Sequence, residues 1–230
     1  MPFRHSPNHK NQAARTTRRE GCLVIFLIPP AAIILIGLIV LVAANRLNPP
    51  TSQLTYGPGS TPQPGAMAPF FSKTVQFWGG SIEAWAQKWG LNANLIATVM
   101  QIESCGNPEA ISKAGAVGLF QVMPFHFKDG ENPLDPETNA LRGLTYLKRS
   151  LDLANGDIRL ALVGYNGGTG LIGTDENQWP SESTQYAYWG NNIFLEAQQS
   201  SEVSNTLADW LNHGGARLCT QASLRLGLRN

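Results

Sequence analysis

Histidine and cysteine are scarce, four and three residues in a chain of 230. His5 and His9 fall in the N-terminal tail, and His126 and His213 stand far apart without ligand spacing, so no metal centre is expected. There is no glycine-rich phosphate cradle, and no cofactor is expected. Beyond residue 20 no basic stripe interleaved with aromatics occurs, which removes nucleic acid from the expected partners. Internal repeats are absent, and the alternation that half-buried strands require is almost missing. Whole-chain charge is only +1. Within the first twenty residues Arg4, Lys10, Arg15, Arg18 and Arg19 are opposed by Glu20 alone, so everything after them is mildly acidic.

What is present is arranged in blocks. From Cys22 to Ala44 no charged residue occurs, and Leu, Ile, Val and Ala dominate. At about 1.5 Å per residue the run reaches roughly 34 Å, enough to cross a bilayer core. Pro29 and Pro30 should kink it, which membrane helices tolerate. The basic tail precedes the run and only Arg46 follows it closely. The expectation is therefore a single-pass cell-membrane protein with a cytoplasmic N-terminus and an extracytoplasmic remainder. A cleaved signal peptide ending at Val42-Ala43-Ala44 is the rival, although signal cores are shorter, about 7–15 residues. The following Pro-, Gly-, Ser- and Thr-rich stretch has too few large apolar residues to order itself and reads as a flexible tether. The expected organisation is a tail at 1–21, a transmembrane signal anchor at 22–44 and a linker at 45–69. A globular domain follows at 70–199, with a C-terminal helical extension packed on it at 200–230. Cys105 and Cys219 share the exported part, where two cysteines make a candidate disulfide, with two free buried thiols as the alternative.

Helix signals dominate the domain. Ser81 can cap a helix to about Lys88, stopped by Gly90, and Asn92 can cap a second from Ala93 to about Ser104. The stretch from Ile111 to Pro124 is glycine-punctuated and reads as loop, with at most a small β element. Pro136 opens a long helix to about Ala154, with Leu141, Leu144, Tyr146, Leu147 and Leu151 as its apolar side. Asp157 caps another through Tyr165, and further helices are expected near 182–199 and 202–212. Trp210, Leu211, Leu218, Leu224 and Leu226 are expected to pack the extension down. The cluster Trp78, Trp85, Trp89 reads first as core. The fold class is mainly α.

One acid stands out within this frame. Ile96, Val99, Met100 and Glu103 follow the i, i+3, i+4, i+7 pattern, which puts Glu103 on the apolar stripe of its helix. Partial desolvation there raises a carboxyl pKa, the property a general acid needs. The helix by itself favours a structural glutamate accepting backbone hydrogen bonds over a catalytic one.

The neighbouring residues add a resemblance. Glu103-Ser104, Asn107-Pro108, Ser112, Gly115-Ala116 and Gly118-Leu119-Phe120-Gln121-Val122-Met123-Pro124 closely resemble the signature of the soluble lytic transglycosylase family. Asp135-Pro136, Asn139, Gly143 and Tyr146-Leu147 follow in the family's order. So do Ala161 with Gly164-Tyr165-Asn166-Gly167-Gly168, and then Pro180, Glu182, Ser183 and Tyr186. The resemblance covers about residues 70–195. It implies a goose-type lysozyme-like helical domain acting on peptidoglycan glycan strands, with Glu103 as sole catalytic acid/base. Ser112, Gln121, Met123, Tyr165 and Asn166 would line the groove, with Tyr186 beside the acid. Phe120, Gly164 and Gly167 depart from the family's usual residues, and none of these changes removes a proton-transfer group.

The implied reaction cleaves the β-1,4 bond between N-acetylmuramic acid and N-acetylglucosamine and closes a 1,6-anhydro ring. A hydrolytic muramidase is the alternative. It would need a carboxylate to activate water, and Asp129, Glu131 and Asp135 are the candidates that follow the Gln121 loop. A non-catalytic wall-binding module is a third expectation, from a different class.

Overall fold

The computed structural model describes residues 67–199 and 201–228. The expected tail and anchor, and the linker as far as residue 66, lie outside the described residues. Among those described, no helix is long and apolar enough to cross a membrane. Ordered packing already begins before residue 70. Ala68 and Phe71 are buried, and the Ala68 amide donates to Asn94 Oδ1 at 2.8 Å.

The helices start where the chain supplies acceptors for otherwise unpaired amides. A short α1 (Lys73–Gln76) is capped by Ser72. Helix α2 (Gly79–Trp89) begins two residues before the expected Ser81 cap, because the Ile82 amide reaches back to the Trp78 carbonyl at 2.8 Å. Gly90, at φ 61°, ends it in the left-handed region that glycine adopts without cost. Helix α3 (Ala93–Glu103) opens on Asn92, whose side chain accepts from the Asn94 amide at 2.8 Å. Asp135 and Pro136 start α4 (Pro136–Leu153), and Asp157 starts α5 (Ile158–Gly167). Then come α6 (Ser181–Gln198) and α7 (Asn205–Trp210), capped by Ser204. A kinked turn at Leu211–Gly215, with Gly214 at φ 114°, breaks the chain before α8 (Ala216–Leu226). No strand occurs among the described residues. The loop at 111–122 holds only the isolated antiparallel bridges Ile111–Val117 and Val117–Val122.

Helix α3 is the central element. Leu95, Ile96, Ala97, Val99 and Met100 are all buried, and α6 closes over it while α5 packs between α4 and α6. Burying the Leu, Ile, Val and Met side chains contributes on the order of 1.5–3 kcal/mol each. On α4 the buried side is Asn139, Ala140, Gly143, Leu144, Leu147 and Leu151. Leu141, expected on that side, is exposed, because it lies one position round the helix from the Ala140–Leu144 line. Leu224 is a second correction: it is 78% exposed, while Trp210 is buried and Leu211 and Leu218 pack partly on the core. Helix α8 turns Cys219 and Ala222 inward and leaves Leu224 outside. The tryptophans are structural: Trp85 is buried and donates to the Glu137 carboxylate, and Trp78 donates to the Gly106 carbonyl at 2.8 Å.

Two close approaches hold the loop between α3 and α4. Gly118 takes φ 76°, and a Cβ there would sit 2.3 Å from Asn139 Nδ2. The buried Asn139 side chain accepts from the Phe120 amide at 2.9 Å and donates to the Val117 and Pro133 carbonyls at 2.8 and 3.0 Å. One α4 side chain thereby fixes three points of the loop. At the other end, a disulfide joins Cys105, two residues after α3, to Cys219 on α8.

Candidate active site

Glu103 is the last residue of α3, so its carboxyl faces the negative end of the helix dipole. Ile96, Val99 and Met100 on the same stripe are fully buried beneath it. Glu103 itself opens on a groove of about 240 Å³. Its pKa is pushed up to about 8, chiefly by burial; the Tyr186 hydroxyl opposes the shift and the Glu182 charge adds to it. The residue keeps partial solvent contact through the groove, so a bound ligand closing that side would add to the desolvation. At neutral pH the group holds its proton.

The same groove is lined by Ser112, Gln121, Met123, Tyr165 and Asn166. All but Met123 are held by a specific side-chain contact. Ser112 Oγ accepts from the Ala116 amide at 2.9 Å, which leaves its own proton free to donate. Gln121 adopts φ 44°, and its Nε2 donates to the Ala110 and Gly118 carbonyls, leaving Oε1 as the free acceptor. Asn166 Oδ1 accepts from Ser183 Oγ at 2.8 Å, so its amide hydrogens are the groups left for a ligand. Tyr165 donates to the Phe120 carbonyl at 2.8 Å, not to the acid. Burial, then the Glu103 and Tyr146 neighbours, raise its pKa well above the usual tyrosine value, so it stays a neutral phenol.

Tyr186 is not on the groove wall. It is buried behind Glu103, and its hydroxyl has no partner in full hydrogen-bonding geometry among the described residues. It is nevertheless the neighbour that favours the Glu103 carboxylate form.

Three polar groove residues were not singled out from the sequence as site residues: Glu182, His126 and Tyr146. Glu182 and Tyr146 stood inside quoted motifs, which was the available signal. For His126 there was none. The acids weighed as activators of water stand elsewhere. Asp135 caps α4 through the Thr138 amide at 2.9 Å, and Glu131 is held by Arg142 and the Lys128 amide. Neither they nor Asp129 line the groove, where Glu182 is the second carboxylate. No cluster of His, Cys, Asp or Glu able to hold a metal occurs among the described residues.

A partly desolvated carboxyl facing oriented donors and acceptors in an open groove can protonate a bridging oxygen between two ring units. Residues 80–187 match the family model described as Transglycosylase SLT domain. The transglycosylase of Enterobacteria phage PRD1 is 36% identical over 117 residues, covering 50% of this chain and 42% of that protein. Membrane-bound lytic murein transglycosylase E of Buchnera aphidicola is 30% identical over 118 residues, 43% of this chain and 53% of its own length. Membrane-bound lytic murein transglycosylase C of Photorhabdus laumondii is 33% identical over 105 residues, 37% of this chain and 29% of its own. The matched stretch thus spans about half or less of each of these relatives. Among solved structures, an inactive mutant of lytic transglycosylase Slt from Pseudomonas aeruginosa is 22% identical, with a TM-score of 0.38 over 66% of this chain and 24% of that one.

Proposed function

We propose that this chain, which carries a transglycosylase SLT domain over residues 80–187, is a peptidoglycan lytic transglycosylase with a lysozyme-like catalytic domain. The observation that carries the reading is Glu103, protonated at neutral pH on the floor of a groove whose free polar groups suit a glycan. Glu103 donates its proton to the glycosidic oxygen between N-acetylmuramic acid and N-acetylglucosamine. The substrate's own acetamido oxygen stabilises the positive charge that forms at C1. Glu103, now a carboxylate favoured by the Tyr186 hydroxyl, takes the proton of the C6 hydroxyl as that oxygen closes on C1. The products are a new N-acetylglucosamine end and a 1,6-anhydro-N-acetylmuramic acid end, and the acid is restored. One carboxylate acts twice, unlike the two-carboxylate schemes of most glycosidases.

Ser112, Gln121, Asn166 and Met123 would hold the sugars, and Tyr165 would keep the Phe120 backbone and the Gln121 turn in place beneath them. The membrane anchor at 22–44 belongs to the same reading. Its support is the uncharged apolar run and the printed description of several relatives as membrane-bound.

The test is digestion of purified sacculi by the full chain and its Glu103→Gln variant, followed by mass spectrometry of the soluble fragments. Anhydro ends from the wild type and loss of at least about a thousandfold in the variant are expected. Fully hydrated reducing ends would replace this reading with a muramidase, with Glu182 as the groove carboxylate able to activate water. Undiminished lysis by Glu103→Gln would remove the acid from the mechanism.

A further inference from the structure

We propose that an exposed aromatic ladder ending in Phe125 extends the groove and carries an additional sugar of the bound glycan strand on the Phe125 ring. The inference rests on the glycan-binding reading above and adds a binding position to it.

Phe125 is the middle residue of a single 3-10 turn, Pro124–His126, and is 75% exposed. A large apolar ring held in water is unfavourable unless it meets something. The turn that presents it is anchored on both sides. Met123 lines the groove before it and Phe127 packs on the core after it. The His126 and Phe127 amides close the turn on the Met123 and Pro124 carbonyls at 3.0 and 3.1 Å. Immediately beyond, Glu131 holds the Lys128 amide at 2.9 Å and pairs with Arg142. The ring is therefore presented ready-made, and a ligand would spend little on ordering it.

Phe125 is also continuous with the groove. Its ring centroid lies 4.5 Å from that of His126, which lies 4.9 Å from Tyr146, which lies 5.8 Å from Tyr165 beside the acid. Three of these four, His126, Tyr146 and Tyr165, already line the groove. Burial, with Arg149 adding to it, lowers the His126 pKa, so its imidazole is neutral and can both donate to and accept from sugar hydroxyls.

The chemistry of the surround selects the occupant. A pyranose offers an apolar C–H face for an aromatic ring and a rim of hydroxyls for polar neighbours. Lys128, Asp129 and Gly130, which follow the turn in sequence, are exposed and polar or without a side chain, so Phe125 is the exposed apolar ring of a polar stretch. A docked protein would need a contiguous face nearer about 800 Å². The sequence GLFQVMP ends at Pro124, and the Phe125-His126-Phe127 run follows it.

The test uses the full chain carrying Glu103→Gln, so that bound strands are not cleaved. The probes are peptide-free glycan strands of graded length, released from sacculi by an amidase, with affinity measured by calorimetry. Affinity should rise with strand length. Adding Phe125→Ala should remove that gain and weaken long strands roughly three- to tenfold, as expected for one lost aromatic contact. Phe125→Trp should restore it, and Phe125→Leu, equally apolar but without a ring face, should not. Unchanged long-strand affinity in Phe125→Ala, or full rescue by Leu, overturns the ladder while leaving the groove reading intact. If the parent Glu103→Gln chain, folded by circular dichroism, binds no strand of any length, the glycan reading falls and the ladder with it.

Discussion

Glu103 illustrates how a single residue can be both a cost and an asset. Its carboxyl pKa of about 8 lies above the ordinary glutamate value of 4.5, so the folded protein holds a proton that the unfolded chain releases between those limits. Stability must therefore fall as pH rises from about 4.5 to about 8. Glu103→Gln should be more stable than wild type at pH 8, by an amount on the order of 1–3 kcal/mol once groove solvent is allowed for, and indistinguishable from it near pH 4. Thermal unfolding at the two pH values checks this; an equal difference at both would mean the carboxyl is not desolvated. Activity should follow the same group, with kcat/KM of the wild type declining above about pH 8 as the acid loses its proton. The stripe Ile96, Val99, Met100, Glu103 made this residue's placement legible from spacing alone, because helical periodicity is a local property. The shift's other contributors were not legible. Tyr186 and Glu182 reach Glu103 from α6, some eighty residues along the chain, through the packing of α6 on α3.

At the scale of elements, the groove is made by a loop with almost no secondary structure of its own, and that loop keeps its shape because α4 grips it. Asn139 satisfies the Phe120 amide and two carbonyls from a fully buried position. Replacing it with the similarly sized Leu would leave the Phe120 amide and the Pro133 carbonyl unpaired, while the Val117 carbonyl would keep only the Val122 amide at 2.9 Å. Asn139→Leu is expected to cost about 2–4 kcal/mol in denaturant unfolding and to lower activity on sacculi even where the protein remains folded. Loss of stability without loss of activity in the folded fraction would show that the loop does not depend on this grip. Helix starts were readable because Asn92, Asp135 and Asp157 sit directly before their helices and accept from their first amides. Where the start was misplaced, at α2, the first turn uses a backbone carbonyl, which leaves no side-chain signature. Leu141 was misassigned for a related reason. Hydrophobicity marks a broad face, and only the packed neighbours define which edge of it is covered.

For the whole molecule, the C-terminal extension is part of the domain's support. The Cys105–Cys219 disulfide closes a loop of 114 residues from the end of α3 to α8, and Arg225 of α8 pairs with Glu109 beside the groove loop. Gln101 of α3 directs its amide at both sulfurs and receives the Ser72 amide, tying α8 to the segment before α1. Cys219→Ser is expected to lower unfolding stability by about 2–5 kcal/mol, and reduction of the wild type should reproduce the loss. Equal stability of oxidised and reduced protein would show that the bridge contributes nothing.

The sequence by itself determined the mainly helical class, the location of most helices, the stripe that carries Glu103, and, through four ordered blocks of resemblance, the set of residues to examine around it. Those features are written in spacing, caps and punctuation, each spanning a few residues. Only the tertiary structure decided which of those residues share the groove, that Tyr165 donates to Phe120 and not to the acid, that Tyr186 lies behind Glu103, and that Phe125 stands at the end of an aromatic path. Each of these depends on contacts between segments far apart in the chain, and periodicity within one helix does not specify how its neighbours pack against it.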